Sequence, residues 1–171
     1  VAEVAPVADR PWMPEEYGIA GSGEGLLDWG QVEERLAAAR NYWVVTASPD
    51  GGPHAMPVWG LWLDGAFTFG TGRGSRKARN LTHDPRVAVH LESGDDVVVV
   101  HGVARELTDP AALARFSDAY QPKYGMAMPA ETLAALDSLV YAVAPRVVLA
   151  WREADMATSA TRWRFPERQH P

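Results

Sequence analysis

The sequence predicts a mainly β protein with some α structure: a mostly antiparallel barrel of about six strands, with helices at its ends. Three observations carry that expectation. β-Branched and aromatic runs recur between turn clusters, Asp64-Gly65 joins two such runs with no spare residue, and helical periodicity is confined to a few short segments.

Residues 1–27 hold Pro6, Pro11 and Pro14 among Gly18, Gly21, Gly23 and Gly25 without a steady period, which reads as an irregular arm. Asp28 followed by Gln31 is a helix-start signal, and Trp29, Val32, Leu36 and Ala39 then share one helical face. Trp43 to Ala47 is strand-like, and the cluster Pro49-Asp50-Gly51-Gly52 turns the chain into a second run, His54 to Leu63. Pro57 cannot donate to a ladder, so that run belongs at an edge or carries a bulge. The Asp64-Gly65 hairpin folds residues 66–71 back on 57–63 and sets Pro57 beside Thr71.

A short helix follows, ended by Asp84-Pro85, then strands over 86–91 and 97–107. Val97 to Val100 do not alternate, which predicts burial on both faces, one of them against another subunit. Asp109-Pro110 opens a helix carrying Leu113, Phe116 and Tyr120, followed by a loop through Pro122, Lys123, Tyr124 and Gly125. A helical piece over 130–138 precedes the last strong strand, Val140 to Trp151, and residues 159–165 read as an edge strand or a clasp.

The length suits one domain with a real core. A net charge of −6 argues against general nucleic-acid binding. With no cysteine, there is no disulfide, thiolate metal site or cysteine nucleophile. Nothing in the sequence signals export or a membrane span, so a soluble cytoplasmic protein is expected. His54, His83, His90, His101 and His170 lack metal-pair spacing, no serine sits in a nucleophile elbow, and no carboxylate pair stands out, so no metal ligand or catalytic residue is assigned.

Against this acidic background, Thr71 to Leu81 places Arg73, Arg76, Lys77 and Arg79 at a strand-to-helix junction. A solvated helix face is one reading. Cations in a first helical turn oppose the helix dipole, however, and a bound anion removes that conflict, so a phosphate site is the sharper reading. Neither a Walker loop nor a dinucleotide fingerprint is present. An anion cradle without acid–base machinery suits a protein whose cofactor supplies the chemistry.

The order of a strand, Thr71, then Gly74-Ser75-Arg76-Lys77-Ala78, then Asp84-Pro85-Arg86-Val87 and a long strand with Gly102 and Glu106-Leu107 resembles the pyridoxamine 5′-phosphate oxidase-like split β-barrel superfamily. Lys77-Ala78-Arg79-Asn80-Leu81 is similar to its flavin/deazaflavin-dependent oxidoreductase branch. The resemblance implies a six-stranded antiparallel split barrel of the FMN-binding type over residues 28–171, and a homodimer with cofactor at the subunit interface. It implies FMN or coenzyme F420, with F420 favoured because Arg73 and Arg79 could serve its longer acidic tail. Ala55, Met56, Pro57, Val58, Trp59 and Gly60 would run along the ring, and Gly70 and Thr71 beside the ribityl chain. Ser75, Arg76 and Lys77 would hold the phosphate, with Asn80 of the same motif counted among the contacts. Val97 stands where the oxidase has a flavin-contacting glutamine, and Trp163 would cover the cofactor. The C-terminal segment that grips pyridoxal phosphate in the oxidase is not reproduced by Thr161 to Phe165.

The function this implies is hydride transfer between reduced F420 or FMN and a small conjugated organic acceptor. The alternatives are a non-catalytic flavin, F420 or haem carrier on the same fold, and a structural dimer whose basic loop docks an acidic partner.

Overall fold

A computed structural model describes residues 5–166, so His170 and the first four residues of the arm lie outside the described residues. The strands are β1 (Val7–Asp9), β2 (Tyr42–Ala47), β3 (Pro53–Val58), β4 (Leu61–Leu63), β5 (Ala66–Gly72), β6 (Arg86–His90), β7 (Asp96–Glu106), β8 (Ser138–Arg152) and β9 (Thr161–Arg164). The helices are α1 (Trp29–Ala38), α2 (Arg76–His83), α3 (Pro110–Tyr124), α4 (Ala130–Ala135) and α5 (Met156–Ser159).

All strand pairs are antiparallel, in the order β1-β9-β8-β7-β6-β2-β3, with β5 added to β8 and β4 to β5. The sheet is not closed. The described residues hold nine strands where six are expected, because β1 and β9 add to the sheet and the run over 54–63 breaks in two. Gly60 explains the break: a Cβ there would stand 2.4 Å from the Phe67 ring and 2.9 Å from the Thr68 carbonyl oxygen. The Gly60 backbone therefore lies on Phe67 rather than continuing a ladder.

The long strand β8 changes neighbours at a bulge. His101 pairs Val147 while Gly102 pairs Pro145, leaving Arg146 as the extra residue. A Cβ on Gly102 would stand 2.4 Å from the Ala144 carbonyl oxygen, so the close approach requires glycine. Before the bulge β8 pairs β5, and after it β8 pairs β9.

Asp64 (φ 52°) and Gly65 (φ 67°) make the two-residue turn between β4 and β5, as expected for Asp-Gly. β3 is the last strand on its side and pairs only β2, so Pro57 sits at an edge. Around the interior, Val32 and Leu36 of α1, Tyr42, Val44, Phe67, Phe69, Val98, Val100, Val143 and Val148 are buried in one core. Each such side chain contributes about 1.5–3 kcal/mol of burial.

The valine run divides by side. Val98 and Val100 enter the core, while Val97 and Val99 are half-buried on the outer face, where Val99 stands in register with His90, Leu149 and, through His90, Trp43.

The arm is fastened rather than free. Arg10 donates to the carbonyls of Ser22, Glu24, Thr158 and Ala160, and Asp9 pairs with Arg162 and Arg164. Lys123 and Tyr124 end α3 instead of lying in a loop, and Gly125 (φ 72°) caps that helix. Pro122 lies in the last turn, where it removes the bond that an N–H there would make to the Asp118 carbonyl, and the helix nevertheless runs on to Tyr124. No helix among the described residues is long and apolar enough to cross a membrane.

Candidate functional site

The junction between β5 and α2 builds a cradle from short-range chemistry. Ser75 caps α2, accepting from the Ala78 N–H (3.1 Å) and from the Thr71 hydroxyl (3.0 Å). Both contacts use Ser75 as an acceptor, so its own proton remains for an acceptor outside the helix. The N–H groups of Arg76 and Lys77 belong to the first helical turn, where no intrahelical acceptor exists.

The four cations part company here. Arg73 pairs with Asp137 at 3.1 Å, both side chains largely exposed, and Arg79 donates to the Gly74 carbonyl. The Arg76 guanidinium and the Lys77 ammonium make no hydrogen bond or ion pair to another described residue. Lys77 is half-buried, and that burial holds its ammonium below its ordinary value. A partly desolvated lysine without an acceptor is unfavourable, and a bound anion would relieve it.

The glycines of the junction leave room for such an anion. A Cβ on Gly72 or Gly74 would meet nothing within 4 Å, and one on Gly70 only the Leu139 carbonyl oxygen at 3.9 Å. None of the three has positive φ, so neither packing nor strain requires glycine at these positions.

β3 flanks the cradle. Directly opposed residues of an antiparallel pair share a face, so His54, paired with Thr46, faces the side of the sheet on which Asn80 of α2 donates to the Thr46 hydroxyl (2.9 Å). His54 Nδ1 is buried with no partner. Burial first, then the charges of Arg76 and Lys77, push the His54 imidazole below its ordinary value, which places it in the same electrostatic neighbourhood.

Ala55, Met56 and Pro57 are exposed along the outer edge of the sheet. Val58 is half-buried, and Gly60 is buried. The Trp59 ring turns to Tyr124, stacking at 4.8 Å, with the Arg40 guanidinium 5.2 Å from its centre. The Tyr124 hydroxyl accepts from the Gly60 N–H (2.9 Å) and lies 2.7 Å and 2.8 Å from the carbonyls of Gly60 and Arg40. Lys123 donates to the Ala37 carbonyl (2.9 Å) and the Tyr42 hydroxyl (2.8 Å). Lys123 and Tyr124 thus staple α3 to the end of α1 and to the start of β4.

Gly70, Thr71, Ser75, Arg76 and Lys77 therefore gather at one junction, with β3 beside it. Five expected contacts do not join them, Trp59 and Gly60 being engaged with Tyr124. Asn80 is buried beneath the cradle, its side chain spent on Thr46, so it fixes α2 rather than facing outward. Trp163 is 2% exposed in the core, its ring 5.5 Å from Trp29, and covers nothing outside. Val97 pairs Trp151, twelve residues along β8 from the Leu139 that pairs Thr71 (151 less 139), so one chain does not bring it to the cradle. The residue missed from sequence is His54. Alternation from Thr46 would have found it, once the register of the hairpin was known.

Two clefts, of about 660 and 540 Å³, have none of Gly70, Thr71, Ser75, Arg76 and Lys77 in their lining, although the first reaches Thr46 and Pro53 at the turn between β2 and β3. The first opens on the outer face among Val45, Ala88, His101 and Arg146, the second between α3 and the ends of β5 and β7. No cluster of three metal-ligating residues is present among the described residues.

Comparison with known proteins bears on the fold. The family model described as pyridoxamine 5′-phosphate oxidase matches residues 29–152. The structure of a conserved hypothetical protein, Rv2991 from Mycobacterium tuberculosis, is similar with a TM-score of 0.66 at 24% identity, covering 85% of this chain and 92% of that one. An F420 reductase is similar with a TM-score of 0.53 at 21% identity, over 67% of this chain and 94% of the other. HutZ, the haem storage protein from Vibrio cholerae, is similar with a TM-score of 0.56 at 15% identity, over 70% and 92%. No curated protein sequence matches the chain.

Proposed function

The chain belongs to the pyridoxamine 5′-phosphate oxidase family, and from that premise we propose that it is an oxidoreductase that binds F420 or FMN and transfers hydride between the reduced cofactor and a small conjugated organic acceptor. The observation that carries the reading is the unpaired Arg76 and half-buried Lys77 at the mouth of α2, under open space left by Gly70, Gly72 and Gly74.

The residues fit a phosphate-bearing cofactor. Ser75, Arg76 and Lys77 hold the phosphate, each charge-assisted bond contributing about 1.5–3 kcal/mol. Gly70 and Thr71 border the ribityl chain, and the exposed edge of β3 from Ala55 to Val58 orients the ring through backbone groups that have no neighbouring strand. Arg73 and Arg79 would serve a longer acidic tail by exchanging their present partners, Asp137 and the Gly74 carbonyl, for it. A reduced flavin or deazaflavin, when bound, supplies the hydride. The chain contributes position, charge and exclusion of water; no side-chain acid is needed in the groove for hydride to pass.

Oxidation of pyridoxamine phosphate itself is disfavoured, because Arg162 and Arg164 of the interior strand β9 are committed to Asp9, and among the described residues no other C-terminal cation stands there for a second phosphate. The half-buried outer face carrying Trp43, Val97, Val99, Leu149 and Trp151 suits a homodimer, in which a second copy completes the wall of each cradle. An open, half-walled cradle in one chain is consistent with that assembly.

Anaerobic mixing of the protein and reduced cofactor with a panel of conjugated acceptors tests the reading by loss of the reduced-cofactor absorbance. Turnover of at least one acceptor is expected, with Lys77→Ala needing roughly 30-fold more cofactor to reach it. Tight binding of F420, FMN or haem with no turnover across the panel would replace the enzyme by a carrier, and no binding at all would leave the basic loop as a docking surface.

A further inference from the structure

We propose that His54 is a further ligand of the cofactor's phosphate, recruited by taking up a proton as the anion binds; the proposal rests on the phosphate assignment above. Three independent placements point there. His54 and Thr46 are opposed across β3 and β2 and so share a face, and Asn80 reaches that face from α2. Arg76 lies four residues before Asn80, on the same side of the helix. The imidazole Nδ1 is buried without a partner, which a native fold tolerates where a missing partner arrives with a ligand.

The surroundings decide which way the imidazole titrates. The charges of Arg76 and Lys77 act on it from α2, Thr46 shares its face of the sheet from β2, and Asp50, in the turn between β2 and β3, lies within the field of Arg76. Asp50 is exposed and already engaged by the Ser48 hydroxyl and the Gly52 N–H. With the cradle empty, burial and two cations favour neutral imidazole. A phosphate between the three groups reverses the sign of the local field. The imidazolium then has two N–H donors, and Nδ1 gains its acceptor.

The consequence is linkage. The free-state value lies below the ordinary one and the bound-state value above the free one, so binding takes up a proton between them and affinity falls as pH rises through that window. Each unit of separation between the two values changes Kd by up to about tenfold.

FMN and F420 are titrated separately, by fluorescence, into the full-length parent, His54→Asn and His54→Arg between pH 5.5 and 8.5. The second ionisation of the FMN phosphate, near pH 6, acts on parent and variants alike and cancels in the comparison. The parent's Kd is expected to weaken several-fold more across the range than that of His54→Asn, and His54→Arg, a permanent cation, is expected to follow the Asn profile in shape while binding more tightly. Proton NMR of the parent, with the His54 signal identified by its loss in His54→Asn, supplies a readout independent of turnover and of variant folding: its titration midpoint moves up when cofactor is added. An unmoved midpoint, or superimposable pH profiles in parent and His54→Asn, overturns the proposal. If Arg76→Ala and Lys77→Ala bind as well as the parent, or if neither cofactor binds, the phosphate assignment itself falls, and this inference with it; if those variants lose affinity and His54 does not titrate, only this inference falls.

Discussion

Replacing Lys77 with methionine keeps the length of the stem and removes the charge, and the two states of the protein are expected to respond in opposite directions. Without cofactor, the half-buried ammonium has no acceptor, so its loss leaves the melting temperature unchanged or raised. With cofactor, a charge-assisted bond of about 2 kcal/mol is lost, which weakens Kd roughly 30-fold. Cofactor at a hundred times the parent's Kd stabilises the parent by about 2.7 kcal/mol and the variant, at the same concentration, by about 0.9 kcal/mol. At about 2–4 °C per kcal/mol for a domain of this size, the cofactor-induced rise in Tm falls from roughly 5–11 °C to roughly 2–4 °C. Differential scanning fluorimetry with and without FMN or F420 reads both numbers. A variant that melts several degrees lower when free, yet shows the parent's full cofactor shift, would make Lys77 a structural residue and refute the reasoning.

Gly60→Ala drives a methyl group to 2.4 Å from the fully buried Phe67 ring, and urea denaturation should show a loss of about 1–3 kcal/mol with an unchanged slope. Asn80→Ala strands the buried Thr46 hydroxyl and unties α2 from β2, so about 1–3 kcal/mol of stability is lost by the same assay, together with cofactor affinity. Burial pulls Lys123 down to about 8. The unfolded chain therefore binds more protons than the folded one above that pH, so the parent gains stability relative to Lys123→Met as pH rises from about 8 to 10. Equal pH profiles for those two proteins would show that Lys123 is not desolvated.

The fold was legible where local chemistry decides it. Asp64-Gly65 dictated its turn, Asp28 and Asp109 their helix starts, and Pro57 its edge, because each acts on the backbone at or next to its own position. What stayed hidden depends on contacts between distant residues. Gly60 reads as one glycine in an apolar run until Phe67 is placed above it, and only then does the run divide into β3 and β4. Pro122 reads as a helix end unless Lys123 and Tyr124 are known to be tied to Ala37, Tyr42 and Gly60.

The same division holds at the site. Thr71, Ser75, Arg76 and Lys77 are neighbours in sequence, and their grouping was visible there. Asn80 belongs to the same motif and shares Arg76's side of α2, but one turn further along the helix its amide is buried and spent on the Thr46 hydroxyl. The resemblance implies that Trp163 covers the cofactor, whereas β9 is an interior strand that delivers it to Trp29. His54 is close to Arg76 only through the register of β2 with β3, which no spacing along the chain reveals.

The most direct test is a crystal structure of the protein with FMN or F420 bound. The account predicts the cofactor phosphate at the mouth of α2, within hydrogen-bond distance of the Ser75 hydroxyl, the Arg76 guanidinium and the Lys77 ammonium, with the ring along the outer edge of β3. A phosphate held elsewhere, or a cradle that stays empty at saturating cofactor, would contradict it.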